Sequence, residues 1–273
     1  MIVTDVLAPR SGKPRAFVPT MGALHDGHRE LMRVAREHVG LEGEVVVSVF
    51  VNPLQFGANE DFDQYPRTLE ADRAACEAEG VNILYVPTVW TIYGESPSIT
   101  VDPGPLGEEL EGASRPGHFA GVLTVVGILL HQVAPDFALF GEKDYQQLEL
   151  VRRMCRDLSF PVTVVGVPTV RESDGLARSS RNVYLSADDR RRAAAIPRAL
   201  KAGSNATSVE QIRTAAIHEL NAADLDIDYV EVRSNDLGHD VPEGEARLLL
   251  AVHAGSSRLI DNGPVHVGSD GSE

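Results

Sequence analysis

Two histidines stand three residues apart in the stretch PTMGALHDGH, Pro19 to His28. An apolar run, RAFVP, precedes them and a helix-like segment follows. A helix start suits anions, because its first-turn N–H groups have no helical partner and carry the positive end of the helix dipole. His25 and His28 would complete a phosphate site there, with Gly22 and Gly27 allowing close approach to the backbone. The alternative is that both imidazoles are ordinary loop and cap residues. Zinc is disfavoured, since no cysteine is near and HDGH lacks the spacing that puts two imidazoles on one helical face.

Three further polar sets could do related chemistry. In GEKDYQQ, Gly141 to Gln147, a lysine in a first helical turn opposes the helix dipole unless an anion lies near. Lys143 could therefore hold a polyphosphate, and Asp144 could face a magnesium ion carried by it; the plain alternative is a solvated lysine beside a capping aspartate. Asn52 and Gln55 offer neutral amides to hydroxyl or carboxylate groups, although such residues often only form turns. Finally, Arg171, Arg178, Ser179, Ser180 and Arg181, with Gly175 as a flexible point, suit a mobile clamp that closes on phosphate, against the alternative of a solvated charge run. Neither the P-loop string G-x-x-x-x-G-K-S/T nor the dinucleotide fingerprint G-x-G-x-x-G occurs.

These sets need elements to position them. Apolar runs recur at RAFVP, EVVVSVFV, NILYVP, DFALF and PVTVVGV. Continuous apolar strands are buried on both faces, so the expected fold is α/β: a doubly wound, mainly parallel Rossmann-like sheet with a smaller C-terminal α+β domain. Helices are expected over 27–39, 69–79, 119–133 and 143–158, the third apolar all round and hence a core element. Ligands of open parallel sheets bind beyond the carboxyl ends of the strands, where Met21 to His28, Asn52 with Gln55, and Gly141 to Gln147 all fall. A boundary is expected near Thr169, giving domains 1–169 and 170–273. The second holds two basic or mixed helices, one opening at Ser186 with Asp189, then strands at DIDYVEV and ARLLLAV, and a disordered tail GSDGSE.

The chain of 273 residues is 43% hydrophobic, enough for a large core. Its 25 basic and 40 acidic residues give a net charge of -15, which disfavours nucleic acid and anionic membranes as partners. Any anion must meet a local basic pocket. Cys76 and Cys155 sit in helix-like runs and read as inert thiols, which fits a reducing cytoplasm. The longest apolar stretch, GVLTVVGILL, is too short to span a bilayer.

Taken in order, PTMGALHDGH, FVNPLQF, YPRT, RPGHFAGVLTVV, FGEKDYQQL, PTVRESDGLARSSRN and RLIDN resemble the pantothenate synthetase (pantoate–beta-alanine ligase) family of HIGH-type nucleotidyltransferases over almost the whole chain. The resemblance implies that pantoate attacks the α-phosphate of ATP, with Mg²⁺, to give pantoyl adenylate and pyrophosphate, after which beta-alanine displaces AMP. It assigns Met21, Gly22, Ala23, Leu24, His25, Asp26, Gly27 and His28 to ATP, with His28 in the proton-donor position. Gly141, Glu142, Lys143, Asp144, Val170, Arg178, Ser179, Ser180 and Arg181 complete the nucleotide set, Lys143 and Arg181 supplying charge. Gln55 would bind pantoate and border the beta-alanine site, and Gln147 would take pantoate's hydroxyls; Asn52, Arg115 and His118 are weaker candidates. A cytoplasmic homodimer is implied. Two departures stand out: Arg178 where the family usually has methionine or leucine, and a first stretch, MIVTDVLAPRSGK, that lacks the family's usual amphipathic helix. A nucleotidylyltransferase that joins a nucleotide to a phosphorylated molecule is the competing enzyme reading, and a nucleotide-binding regulator the non-enzymatic one. Gln55 and Gln147 speak against the former, since a phosphorylated acceptor would favour cations there.

Overall fold

The computed structural model describes residues 1–57 and 62–268. Of the tail GSDGSE, residues 269–273 lie outside them, while Gly268 is described and donates its N–H to the Thr207 carbonyl. Contacts divide the chain into two compact units: Met1–Glu142 with Gln146–Pro168, and Lys143–Tyr145 with the chain from Thr169 onward.

In the first unit the elements run β1 (Ile2–Thr4), β2 (Arg15–Thr20), α1 (Asp26–Val39), β3 (Glu44–Val49), α2 (Leu69–Ala78), β4 (Ile83–Tyr85), α3 (Val89–Tyr93), α4 (Glu111–Ser114), α5 (His118–Val133), β5 (Phe137–Gly141), α6 (Tyr145–Asp157) and β6 (Thr163–Val167). The strands form one parallel sheet ordered β1-β4-β3-β2-β5-β6. Alternation sends Ala16 and Val18 of β2, Val45 and Val47 of β3 and Leu139 of β5 to one face, where they pack with Leu31, Met32, Ala35 and Val39 of α1. The other face takes α5, buried around almost its whole circumference, as its apolar sequence predicts. Tyr85 of β4 donates its hydroxyl to Gln132 of α5 across that layer. The chain leaves β2 for β3 on one side and later returns to β5 on the other. The carboxyl ends of β2 and β5 therefore flank a switch point, the place where open parallel sheets bind ligands.

The second unit holds α7 (Ala187–Ala193), α8 (Ala195–Ser204), α9 (Val209–Ala222), β7 (Asp226–Ser234), β8 (Gly244–Ala254) and β9 (Ser257–Val267), the strands forming an antiparallel sheet ordered β7-β8-β9. Leu248, Leu250 and Val252 of β8 pack against Ile196, Ala199, Leu200, Ile212, Ala216 and Leu220 of α8 and α9. Ser186 caps α7, its hydroxyl accepting from the N–H of Asp189, the residue its spacing indicated.

Three expectations change. β1 pairs in parallel with β4, a strand the sequence does not announce because its Ile2 and Val3 remain exposed. The segment expected as one helix from Lys143 is a tight 3-10 turn, Glu142–Asp144, before α6. Lys143 is thus held on a turn rather than in a first helical turn. Among its described residues the second unit carries three α-helices rather than two. Among the described residues no helix is long and apolar enough to cross a membrane.

Candidate active site

In the first unit, the loop after β2 is shaped by a carboxylate. Ala23 has φ 50 and Gly22 φ 90, left-handed backbone that has to be held in place. Asp72 of α2, 2% exposed, accepts the N–H of Ala23 at 3.2 Å and of Leu24 at 2.8 Å, and its oxygens lie 3.3 Å from the Thr68 hydroxyl. A Cβ on Gly22 would come 3.0 Å from Asp72 Oδ2, so the glycine lets the carboxylate close on the loop. Asp72 is a site residue that sequence reasoning missed; its partners lie 48 and 49 residues away.

The loop delivers His25 as the N-cap of α1. Its Nδ1 accepts the Gly27 N–H at 3.1 Å, while Nδ1 of His28 accepts the His25 N–H at 3.3 Å, a reciprocal box built from two imidazoles whose ring centres are 4.1 Å apart. A nitrogen that accepts a backbone N–H carries no proton, so each neutral ring holds its proton on Nε2. The helix start thus places two imidazole N–H groups next to its own first-turn N–H groups, an arrangement that suits an anion. Met21, Leu24 and Gly27 are partly buried beside it and Asp26 is exposed.

Beyond β3, Asn52 is 1% exposed and engaged within the protein. Its Nδ2 donates to the Gly121 carbonyl and to Gln55 Oε1, and its Oδ1 accepts from the Leu54 N–H and the Tyr93 hydroxyl. This engagement makes Asn52 a support for Gln55 rather than a free ligand for substrate. Gln55 turns its own Nε2 to Met21 Sδ at 3.3 Å. Its carbonyl accepts from His118 Nδ1 at 2.9 Å, and Arg115 lies 3.0 Å from His118 Nε2, so both weaker candidates brace the backbone of Gln55. Of the two neighbouring glutamines on α6, Gln146 is buried and holds the carbonyls of Leu106 and Glu109. The half-buried Gln147 makes no side-chain hydrogen bond among the described residues. At the end of β5, a Cβ on Gly141 would meet nothing within 4 Å.

The second unit carries the cations. The Lys143 carbonyl is fixed by Asn262 Nδ2, its ammonium lies 3.4 Å from Asp144, and the next residue, Tyr145, stacks under Arg247. The expected mobile clamp is instead a pinned hairpin. Arg178 N–H bonds to the Val170 carbonyl, Arg171 bridges to Ala177, and Gly175 (φ 90) supplies the left-handed turn rather than a hinge. Arg171 makes a two-pronged pair with the buried Asp261, and Arg190 holds both Glu172 and Asp174. Burial pushes the Glu172 carboxyl up, but the hydrogen bonds from Asn182 and Arg190 and the charges of Arg190 and Arg178 outweigh it and hold it below the usual carboxylate range. Arg178 is exposed, 3.9 Å from Glu172. Ser179 caps the following 3-10 turn through the Arg181 N–H. The Ser180 hydroxyl makes no hydrogen bond, and the exposed Arg181 no ion pair, among the described residues.

No group of three or more His, Cys, Asp or Glu among the described residues could hold a metal ion. Asp144, a half-exposed carboxylate beside Lys143, fits a magnesium ion that arrives on phosphates and takes a single protein ligand. Burial pushes the Cys76 thiol up to about 12 and that of Cys155 to about 11, which leaves both inert.

The family model for pantoate-beta-alanine ligase matches residues 3–264. A pantothenate synthetase of Saccharopolyspora erythraea is 55% identical, over 96% of this chain and 87% of the relative. A solved pantothenate synthetase structure from Thermus thermophilus superposes with a TM-score of 0.89 at 47% identity, covering 96% of this chain and 98% of that one. The pantoate-beta-alanine ligase from Francisella tularensis, complexed with beta-gamma ATP and beta-alanine, gives a TM-score of 0.81 at 32% identity, covering 96% and 97%.

Proposed function

The chain belongs to the pantoate-beta-alanine ligase family, and on that premise we propose how its residues carry out the ATP-dependent condensation of pantoate with beta-alanine. The observation that carries the reading is the two-histidine cap of α1, which sets two Nε2–H donors at a helix N-terminus beside the switch point of the sheet. Attack of a carboxylate on a phosphate brings two anions together. It therefore needs neutralisation and in-line placement more than covalent help. His25 and His28 donate to the ATP phosphates, with His28 as proton donor, and Met21 to His28 line the nucleotide. Gly141 and Glu142, then Lys143, Asp144, Val170 and Arg178 to Arg181, contribute the remaining contacts, Lys143 and Arg181 supplying positive charge to the leaving pyrophosphate. Mg²⁺, carried by the phosphates and facing Asp144, would screen their charge.

Gln55 and Gln147 bind pantoate through neutral amides. An amide can hold a carboxylate in place while leaving it nucleophilic, whereas an arginine there would form a strong pair with it. Pantoyl adenylate and pyrophosphate form first, and the amine of beta-alanine then displaces AMP. A cytoplasmic homodimer belongs to the same reading, and light scattering tests the dimer. The chemical test is pyrophosphate exchange into ATP with pantoate and Mg²⁺ but without beta-alanine. Exchange that requires beta-alanine would refute the adenylate route, and ADP with phosphate as products would indicate an acyl-phosphate ligase.

A further inference from the structure

Gln55 faces its ligand with one end of its amide, and the fold determines which end. The Gly121 carbonyl can only accept and the Leu54 N–H can only donate, so these two backbone groups fix Asn52 with Nδ2 toward Gly121 and Oδ1 toward Leu54. Close approach makes this possible: a Cβ on Gly121 would lie 2.3 Å from the Leu54 carbonyl oxygen. With Asn52 so oriented, its second Nδ2 hydrogen points at Gln55 Oε1 at 3.0 Å, and its Oδ1 takes the Tyr93 hydroxyl at 2.6 Å. Gln55 Oε1 is therefore turned inward, and its Nε2 hydrogens are what remains to be offered. One meets only the weak acceptor Met21 Sδ at 3.3 Å.

We propose that Tyr93 is a positioning residue for the acidic substrate: by donating to Asn52 it holds Gln55 with its NH₂ group outward, as a donor for an acceptor oxygen of pantoate. The inference rests on the reading of Gln55 as a pantoate ligand. Tyr93 suits the task because its ring is fixed on α3, edge-on to Phe50 with centres 6.2 Å apart, and burial raises its phenol, so the hydroxyl keeps its proton throughout the neutral range. Without that donor, Asn52 Oδ1 keeps only the Leu54 N–H, the side chain gains freedom, and Gln55 can turn its oxygen toward the substrate's oxygens.

Tyr93→Phe removes one oxygen and keeps the ring. The expected result, read by pyrophosphate exchange, is a rise of about fivefold to tenfold in the KM for pantoate, the size of one lost hydrogen bond, with the KM for ATP unchanged. A purely structural role would instead lower the melting temperature and the active fraction, reducing apparent kcat without moving either KM. Gln55→Ala supplies the second measurement. The Tyr93→Phe loss in kcat/KM for pantoate should largely disappear in that background, whereas a loss that acts independently of Gln55 would add in full. An unchanged pantoate KM in Tyr93→Phe, or full additivity, overturns the proposal. A wild-type protein with no pantoate-dependent exchange overturns the reading of the site, and the relay with it.

Discussion

Gly27→Ala separates the two roles of the His25 ring. Alanine is the better helix former by up to about 1 kcal/mol, so a view based on helix propensity alone expects stabilisation. The new Cβ would stand 2.9 Å from His25 Cε1 and 3.0 Å from Nδ1, where ordinary carbon contacts begin near about 3.5 Å. The ring must move out by about half an ångström, stretching its 3.1 Å bond to the Gly27 N–H to the edge of hydrogen bonding. Loss of such a cap costs about 1 kcal/mol. Gain and loss nearly cancel, and the melting temperature should move by no more than about 3 °C. The Nε2 donor, however, moves with the ring, and misplacement on that scale costs about tenfold to a hundredfold in rate. The expected variant is thus stable and slow. Scanning calorimetry and pyrophosphate exchange read the two quantities. Exchange within twofold of wild type would refute the claim that this cap geometry aims a donor at phosphate.

The remaining expectations concern the donors and the hairpin. His25→Ala and Lys143→Ala should each slow exchange by about two to three orders of magnitude; only His25→Ala, which removes an N-cap, should also lower the melting temperature, and near-normal exchange in either would return that residue to a structural role. Arg181→Met should be severe and Arg178→Met slight, because Arg178 already faces Glu172; a comparable rise in the KM for ATP in both, at low salt, would make Arg178 part of the site. Glu172→Gln should melt below wild type at pH 7. The folded carboxyl titrates below its usual value, so its contribution is complete above the unfolded pKa of about 4.3 and disappears as pH falls through the folded one; a gap that persists unchanged at pH 3 would assign the loss to packing.

Legibility in the sequence followed burial. Val45, Val46 and Val47 are hidden on both faces, and such strands appear as uninterrupted apolar runs. β9 contains Gly263 and Pro264 within its span, which a central strand would not tolerate but an edge strand does, so RLIDN reads as a motif without disclosing the strand that runs through it. The residues proposed to meet ligand announce themselves by type and by position after a strand, as His25, Gln55 and Lys143 do. Those that aim them do not. Tyr93 reaches Asn52 across 41 residues and Asp72 reaches Leu24 across 48, and neither pairing leaves a trace in local spacing because the meeting is made by the sheet.

The same distinction explains how a chain of net charge -15 can keep cations for an anionic ligand. Arginine type alone could not tell the hairpin's guanidinium groups apart. The fold sorts them with carboxylates: Asp261 immobilises Arg171, while Glu172 and Asp174 immobilise Arg190. Each pair ties the hairpin down and removes one cation from use. Arg181, at the far end of the same segment, has no carboxylate within ion-pair distance among the described residues and is exposed. The acidic excess therefore helps to set the geometry of the basic residues, and the arginine left without an acid is the one proposed to meet phosphate.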